Sequence, residues 1–322
     1  MKYIIVICLF AMNISPLCAQ EQEWKITGKS IVQLFANYQA GLGETNRKSG
    51  FELGRAYVGY AFTVTEHLSG KVVFNVGSTK LKGAEYERVA YIKNAMLTWQ
   101  PGRFSLDFGL VGCQQWSLQQ KFWECRYIMK SFQDEYKFGS AADLGLVGKY
   151  KFAEWLSADV SLVNGEGYKK LNVDNKYRYA LGITLLPLKG LQMRVYGDNY
   201  SASADSLSDQ QTLAFFMGYK NERFSLGAEY NLQYNTHFVK GQDQGGCSVY
   251  SLIRVVKKIS LLGRYDFLDS VKDWNVLDGQ QWLAGIQYQP IKQLKLAAQY
   301  HALKHHHRGD ESFVGLNIEF KL

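Results

Sequence analysis

The sequence predicts an all-β fold: a transmembrane, up-and-down antiparallel β-barrel of about sixteen strands, with one short helical loop folded inward. Three observations predict it. Apolar and polar residues alternate with period two along most of the chain, which gives strands one apolar and one polar face. Short and long connections alternate from strand to strand without a break, as an up-and-down barrel requires. Composition agrees, since 322 residues carry 21 Tyr, 18 Phe, 7 Trp and 30 Gly but only 4 Pro, which excludes a disordered or collagen-like chain.

Taken in order, Met1-Lys2-Tyr3 leads into the apolar run Ile4 to Met12, closed by Pro16 and Cys18-Ala19. This predicts a secretory signal peptide over 1–19 and a barrel domain over 20–322. Acylation of Cys18 is the alternative, and Leu17 in front of it argues against that. No later apolar run approaches the roughly 18 to 20 residues of a membrane-spanning helix, so strands are the only elements left to enter a bilayer.

Strands are expected at 24–40, 50–65, 68–80, 86–100, 103–117, 141–152, 155–164, 177–187, 190–202, 210–220, 223–236, 246–257, 259–268, 280–289, 292–303 and 312–322. In the second, Ala56, Val58, Tyr60 and Phe62 alternate with Arg55, Tyr57, Gly59 and Ala61. In the fifth, Phe104, Leu106, Phe108 and Leu110 oppose Arg103, Ser105, Asp107 and Gly109. In the last, Val314, Leu316, Ile318, Phe320 and Leu322 oppose Gly315, Asn317, Glu319 and Lys321. Tight turns fall at His67, Pro101-Gly102, Ala153-Glu154, Leu188-Lys189, Asn221-Glu222, Lys257-Lys258 and Pro290-Ile291. Pro101, Pro187 and Pro290 thus sit at strand ends, where the missing N–H costs no ladder bond. Tyr60, Trp99, Trp282, Tyr288 and Tyr300 are candidates for interfacial girdles. The terminal Phe320-Lys321-Leu322 resembles the signal read by outer-membrane barrel-insertion machinery.

The stretch Leu118 to Ser140 breaks the alternation. Phe122, Cys125, Ile128-Met129 and Phe132 recur at three- to four-residue spacing, which predicts a short helix. A structured connection of this length is usually functional. Folded inward, it would form a constriction with Lys121, Arg126 and Lys130 lining the opening; folded outward, it would be a cap on the rim. Of the mature cysteines, Cys113, Cys125 and Cys247 make neither a disulfide framework nor a zinc spacing. Free thiols are expected, with a Cys113–Cys125 bridge as the alternative.

The polar parity carries the candidate pore-lining cations Arg55, Lys71, Lys149, Arg178, Arg194, Arg264 and Lys295, with Lys151 and Arg254 beside them. Against these stand Asp107, Asp159, Asp198, Glu229, Asp266 and Glu319. With a formal net charge of +8 for the whole chain, the surplus favours anions inside a narrow low-dielectric channel. The competing reading is that these charges pair across the lumen, as Arg264 and Asp266 could on one strand.

Phe122-Trp123, Arg126-Tyr127, Lys130-Ser131-Phe132 and Phe138-Gly139-Ser140-Ala141-Ala142-Asp143-Leu144-Gly145 resemble the corresponding stretch of the phosphate-selective porin O and P family. Arg55-Ala56-Tyr57 and Lys93-Asn94-Ala95-Met96-Leu97 are similar to its second and fourth strand patterns. The resemblance implies an outer-membrane porin, often a homotrimer, set in outer-membrane lipid and passing small hydrophilic or anionic solutes by diffusion.

No catalytic or metal-ligating constellation is expected. His305-His306-His307, with His301 nearby, reads as a solvated outer loop, because adjacent histidines in an extended chain point to different sides. No cofactor, nucleic-acid partner or enzymatic activity is expected, and an N-terminal plug has no room. The alternatives are a barrel enzyme of the lipase type, which needs a serine beside a histidine near the rim, and a substrate-specific transporter. A fatty-acid transporter would need an apolar lumen, whereas Asn75, Thr184, Gln287 and Gln299 face inward with the cations.

Overall fold

The computed structural model describes residues 25–42, 49–78, 88–172 and 174–322; the signal segment 1–19 and Cys18 lie outside them. Sixteen strands run as β1 (Thr27–Leu42), β2 (Ser49–Thr63), β3 (Leu68–Ser78), β4 (Arg88–Trp99), β5 (Phe104–Gly112), β6 (Ala142–Ala153), β7 (Leu156–Val163) and β8 (Arg178–Leu188), then β9 (Leu191–Tyr200), β10 (Gln210–Lys220), β11 (Phe224–Tyr234), β12 (Gln244–Val256), β13 (Ile259–Ser270), β14 (Gly279–Ile291), β15 (Leu294–His305) and β16 (Glu311–Lys321). Each pairs antiparallel with its sequence neighbours, and β1 pairs with β16, Phe35 opposite Glu319, to close the cylinder. Closure leaves no strand edge unpaired, which a bilayer demands.

The faces follow the alternation. Val58, Phe108, Val160, Val249 and Leu316 are exposed on the outside, while Asp107, Ser248 and Asn317 are buried on the inside. An apolar exterior around a polar interior is the wall of an outer-membrane barrel. Among the described residues no helix is long and apolar enough to cross a membrane. Pro187 and Pro290 each sit where the ladder skips, between the pairs Leu185–Met193 and Leu188–Leu191 and between Tyr288–Leu296 and Ile291–Leu294. These irregularities remove the need for a proline N–H.

The second, ninth and eleventh strands end two residues earlier than their alternation suggests, and the fifth five residues earlier. The fifth stops at Gly112 instead of running to 117, because the chain turns into the barrel there. Trp116 is buried, and Ser117 Oγ hydrogen-bonds the Gln114 carbonyl at 3.3 Å as helix α1 (Ser117–Trp123) begins. A second short helix, α2 (Phe132–Glu135), follows.

Candidate functional site

The long loop from 113 to 141, between β5 and β6, lies inside the barrel because its apolar side chains find apolar patches on the inner wall. Leu118, Phe122, Trp123, Cys125, Tyr127 and Met129 cluster with Phe35, Phe216, Tyr250, Leu252, Leu262, Leu283 and Ala297. Phe132, Tyr136 and Phe138 pack on Leu268. Two glycines make this docking fit: a Cβ at Gly218 would lie 2.6 Å from the Phe122 ring, and one at Gly246 would lie 2.7 Å from the Phe132 ring. Burying rings such as Trp123 and Phe132 completely contributes on the order of 2 kcal/mol each.

The wall then satisfies the loop's backbone. Ser225 Oγ donates to the Phe122 carbonyl at 2.7 Å, Tyr250 OH to Gln119 at 3.0 Å and Gln233 Nε2 to Phe138 at 2.8 Å. Arg264 Nη1 donates to the Lys130 carbonyl and Arg178 Nη2 to that of Phe138. At the end of α1, Glu124 takes Lys220 at 2.7 Å and both carboxylate oxygens meet Arg254 at 2.7 and 2.9 Å. Burial alone would raise the Glu124 carboxyl, but hydrogen bonds and charge from Lys220 and Arg254 hold it below the ordinary range. Cys113, Cys125 and Cys247 are free thiols, and burial pushes Cys125 up to about 12, which keeps it protonated.

Of the seven wall cations, five are ion-paired: Lys149 with Asp107 at 2.8 Å, Arg178 with Asp198 at 2.6 Å, Arg194 with Asp159 at 2.6 Å, Arg264 with Asp266 at 2.7 Å and Lys295 with Glu319 at 3.0 Å. Arg55 and Lys71 make no ion pair among the described residues. Arg55 lies between the rings of Phe35 and Tyr57, 4.6 and 4.3 Å from their centroids, and donates to Gln33 Oε1 at 3.2 Å. On the loop, Arg126 pairs with Asp134 at 2.7 Å, Lys121 is exposed, and Lys130 is exposed but borders neither polar cavity described next.

Two cavities occupy the half of the lumen nearest the short turns, and Lys121 borders both. The first, about 610 Å³, is lined by Arg55, Lys121, Arg126, Lys292, Lys295 and Lys321 against Glu124 and Glu319. The second, about 750 Å³, is lined by Lys71, Arg103, Lys121, Lys149, Lys151 and Arg194 against Asp107, Glu154 and Asp159.

One cation escaped the parity reading. Lys93 is 7% exposed, its Nζ has no hydrogen-bond partner among the described residues, and it stands 3.8 Å over the Tyr168 ring. It is the extra residue of a β-bulge, since Val73 pairs with Asn94 and Phe74 with Ile92. A bulge shifts the alternation by one, so counting from either end of β4 gives conflicting faces for Lys93. Asp134, Arg55 and Arg126 are the charged side chains that act on it. Tyr91 lies beside it, hydrogen-bonded by Asn75 at 2.7 Å.

No protein-family model matches the chain, and no curated protein does. Solved structures share its fold. OmpF of Salmonella typhi, in complex with daunomycin, superimposes with a TM-score of 0.72 at 10% identity over 92% of this chain and 97% of that one. An anion-selective porin from Comamonas acidovorans gives 0.70 at 10% identity over 92% and 100%. The trimer form of OmpT, an outer membrane protein of Vibrio cholerae, gives 0.61 at 15% identity over 92% and 99%. At these identities the likeness is one of fold, a porin-type outer-membrane barrel.

Proposed function

We propose that the chain is a passive diffusion porin of the outer membrane for small hydrophilic solutes, favouring anions of the phosphate or carboxylate kind. One observation carries the reading. Where the loop narrows the lumen, Arg55, Lys93 and Arg126 gather about Asp134, whose carboxylate Arg126 already engages. Most wall cations are neutralised by partners, so the surplus is concentrated here and in the two basic cavities beyond it. A buried lysine nitrogen without a hydrogen-bond partner is costly, and an anion that visits it relieves that cost.

In this reading the loop sets the narrowest point, with Lys121 and Arg126 beside the opening, and Arg55 and Lys71 are the wall cations free to meet solute. The other five wall cations hold the lumen's shape through their ion pairs. The proposed passage of solute needs no cofactor or catalytic group, and the inward-facing His301 hydrogen-bonds Gln281. The anion-selective porin of Comamonas acidovorans and the trimer form of OmpT supply precedents for anion preference and for a homotrimer on this fold.

Reversal potentials in a planar bilayer across a KCl gradient test the proposal. The expected sign is anion-preferring, weakened in Arg55→Ala and weakened further when Lys93→Ala is added. A cation-preferring sign, or no effect of either change, would refute it.

A further inference from the structure

The outer rim between β13 and β16 gathers acidic groups without the usual counter-charge. Asp269 at the end of β13, Asp273 in the loop after it and His306 after β15 bring one ligand atom each to within 4.8 Å of one another. Among the described residues no lysine or arginine pairs with either carboxylate; only His306 Nδ1, at 3.6 Å, and His307 Nε2, at 3.4 Å, face Asp273. A second carboxylate loop residue points the same way. Asp278 is 1% exposed, and its Oδ1 has no hydrogen-bond partner among the described residues. The charged groups acting on Asp278 are Asp269, His306 and Asp273, the same three. Asp278 is also the point where the two loops touch, its carbonyl accepting the His306 N–H at 3.0 Å.

We propose that Asp269, Asp273 and His306 form a binding site for a divalent transition metal, of which zinc is the type, that fastens the loop after β13 to the loop after β15. Mutual repulsion among three carboxylates is relieved by a bound dication more completely than by two imidazoles, each of which carries at most one positive charge. One imidazole with two carboxylates suits zinc, whereas calcium and magnesium prefer oxygen alone. Asp278, whose carboxylate accepts the Ser270 hydroxyl, then adds negative charge beside the ligands without coordinating. No sequence spacing announces this site: the ligands come from two loops, and only one member of the His305-His306-His307 run takes part, which is why the sequence reading assigned no metal.

The test uses the full barrel refolded in detergent, stripped with a chelator and titrated with Zn²⁺ and separately with Ca²⁺ by calorimetry. Heat-modifiable mobility on gels confirms that each variant is folded. The expected result is one Zn²⁺ bound per chain, in preference to Ca²⁺. Binding should be lost in His306→Ala and in Asp273→Asn, weakened about 10- to 100-fold in Asp278→Asn, and retained in His305→Ala. No Zn²⁺ binding by the parent, or equal binding of Ca²⁺, would overturn the assignment. So would binding that survives both His306→Ala and Asp273→Asn, which would place the metal elsewhere on the histidine run.

Discussion

Glu124 does three things at one position. It ends α1 in a left-handed conformation, φ 52°, that glycine adopts more readily. Its carboxylate collects Lys220 and Arg254 from the wall, and its carbonyl accepts Lys295 Nζ at 3.3 Å. Because these cations lower its pKa, the stabilisation is complete above the 4.5 of an ordinary glutamate and fades as pH falls through the depressed folded value. Acidification below pH 4.5 should therefore loosen the loop, raising conductance and current noise, and Glu124→Gln should show that behaviour already at neutral pH. Single-channel recordings of parent and variant over an acid series decide this; identical traces at every pH would mean that the apolar docking holds the loop unaided.

Among elements, the long loop and the strand faces carry the clearest expectations. Deleting 118–136 removes both short helices and the loop's share of the buried cluster, so conductance should rise several-fold if this loop is the narrowest point. Unchanged conductance would make it a lining of one wall. On β5, Leu106 looks outward and Ser105 borders the second cavity. Leu106→Arg should block membrane insertion where Ser105→Arg does not, because an arginine on the lipid face costs roughly 2 to 4 kcal/mol at mid-bilayer; equal insertion of the two would mean the faces are reversed. The strand faces were legible in the sequence because a half-buried strand writes its environment at period two, as Arg55 and Tyr57 against Val58 and Tyr60 show. Lys93 was not legible, since a bulge erases parity locally. Nor were most ion pairs: Arg264 and Asp266 lie two apart on one strand and could be read directly, but Arg194 finds Asp159 across 35 positions through the strand order. The apolar spacing of Phe122, Cys125 and Phe132 announced one helix where the chain forms two, Ser117–Trp123 and Phe132–Glu135, with Cys125 in the irregular stretch between them; the spacing reflects packing on the wall, and it did not name the glycines Gly218 and Gly246 that receive the rings.

At the scale of the whole molecule, the cylinder depends on the pairing of β16 with both β15 and β1. Truncation before Glu311 should abolish the heat-modifiable folded band, since it would leave two unpaired edges facing lipid; a folded band in the truncated chain would show that the wall tolerates an opening. The seam itself is sewn by Gln33 Nε2 donating to Glu319 Oε1 at 3.0 Å, between residues 286 positions apart. Bringing such distant segments together costs loop-closure entropy that no local contact repays in advance. Time therefore enters the architecture. Neighbouring hairpins can register as soon as both halves exist, but β1 has to wait, unpaired, until the sixteenth strand arrives, and throughout that interval the apolar parity needs shelter from water. The slow step of maturation is expected at the seam.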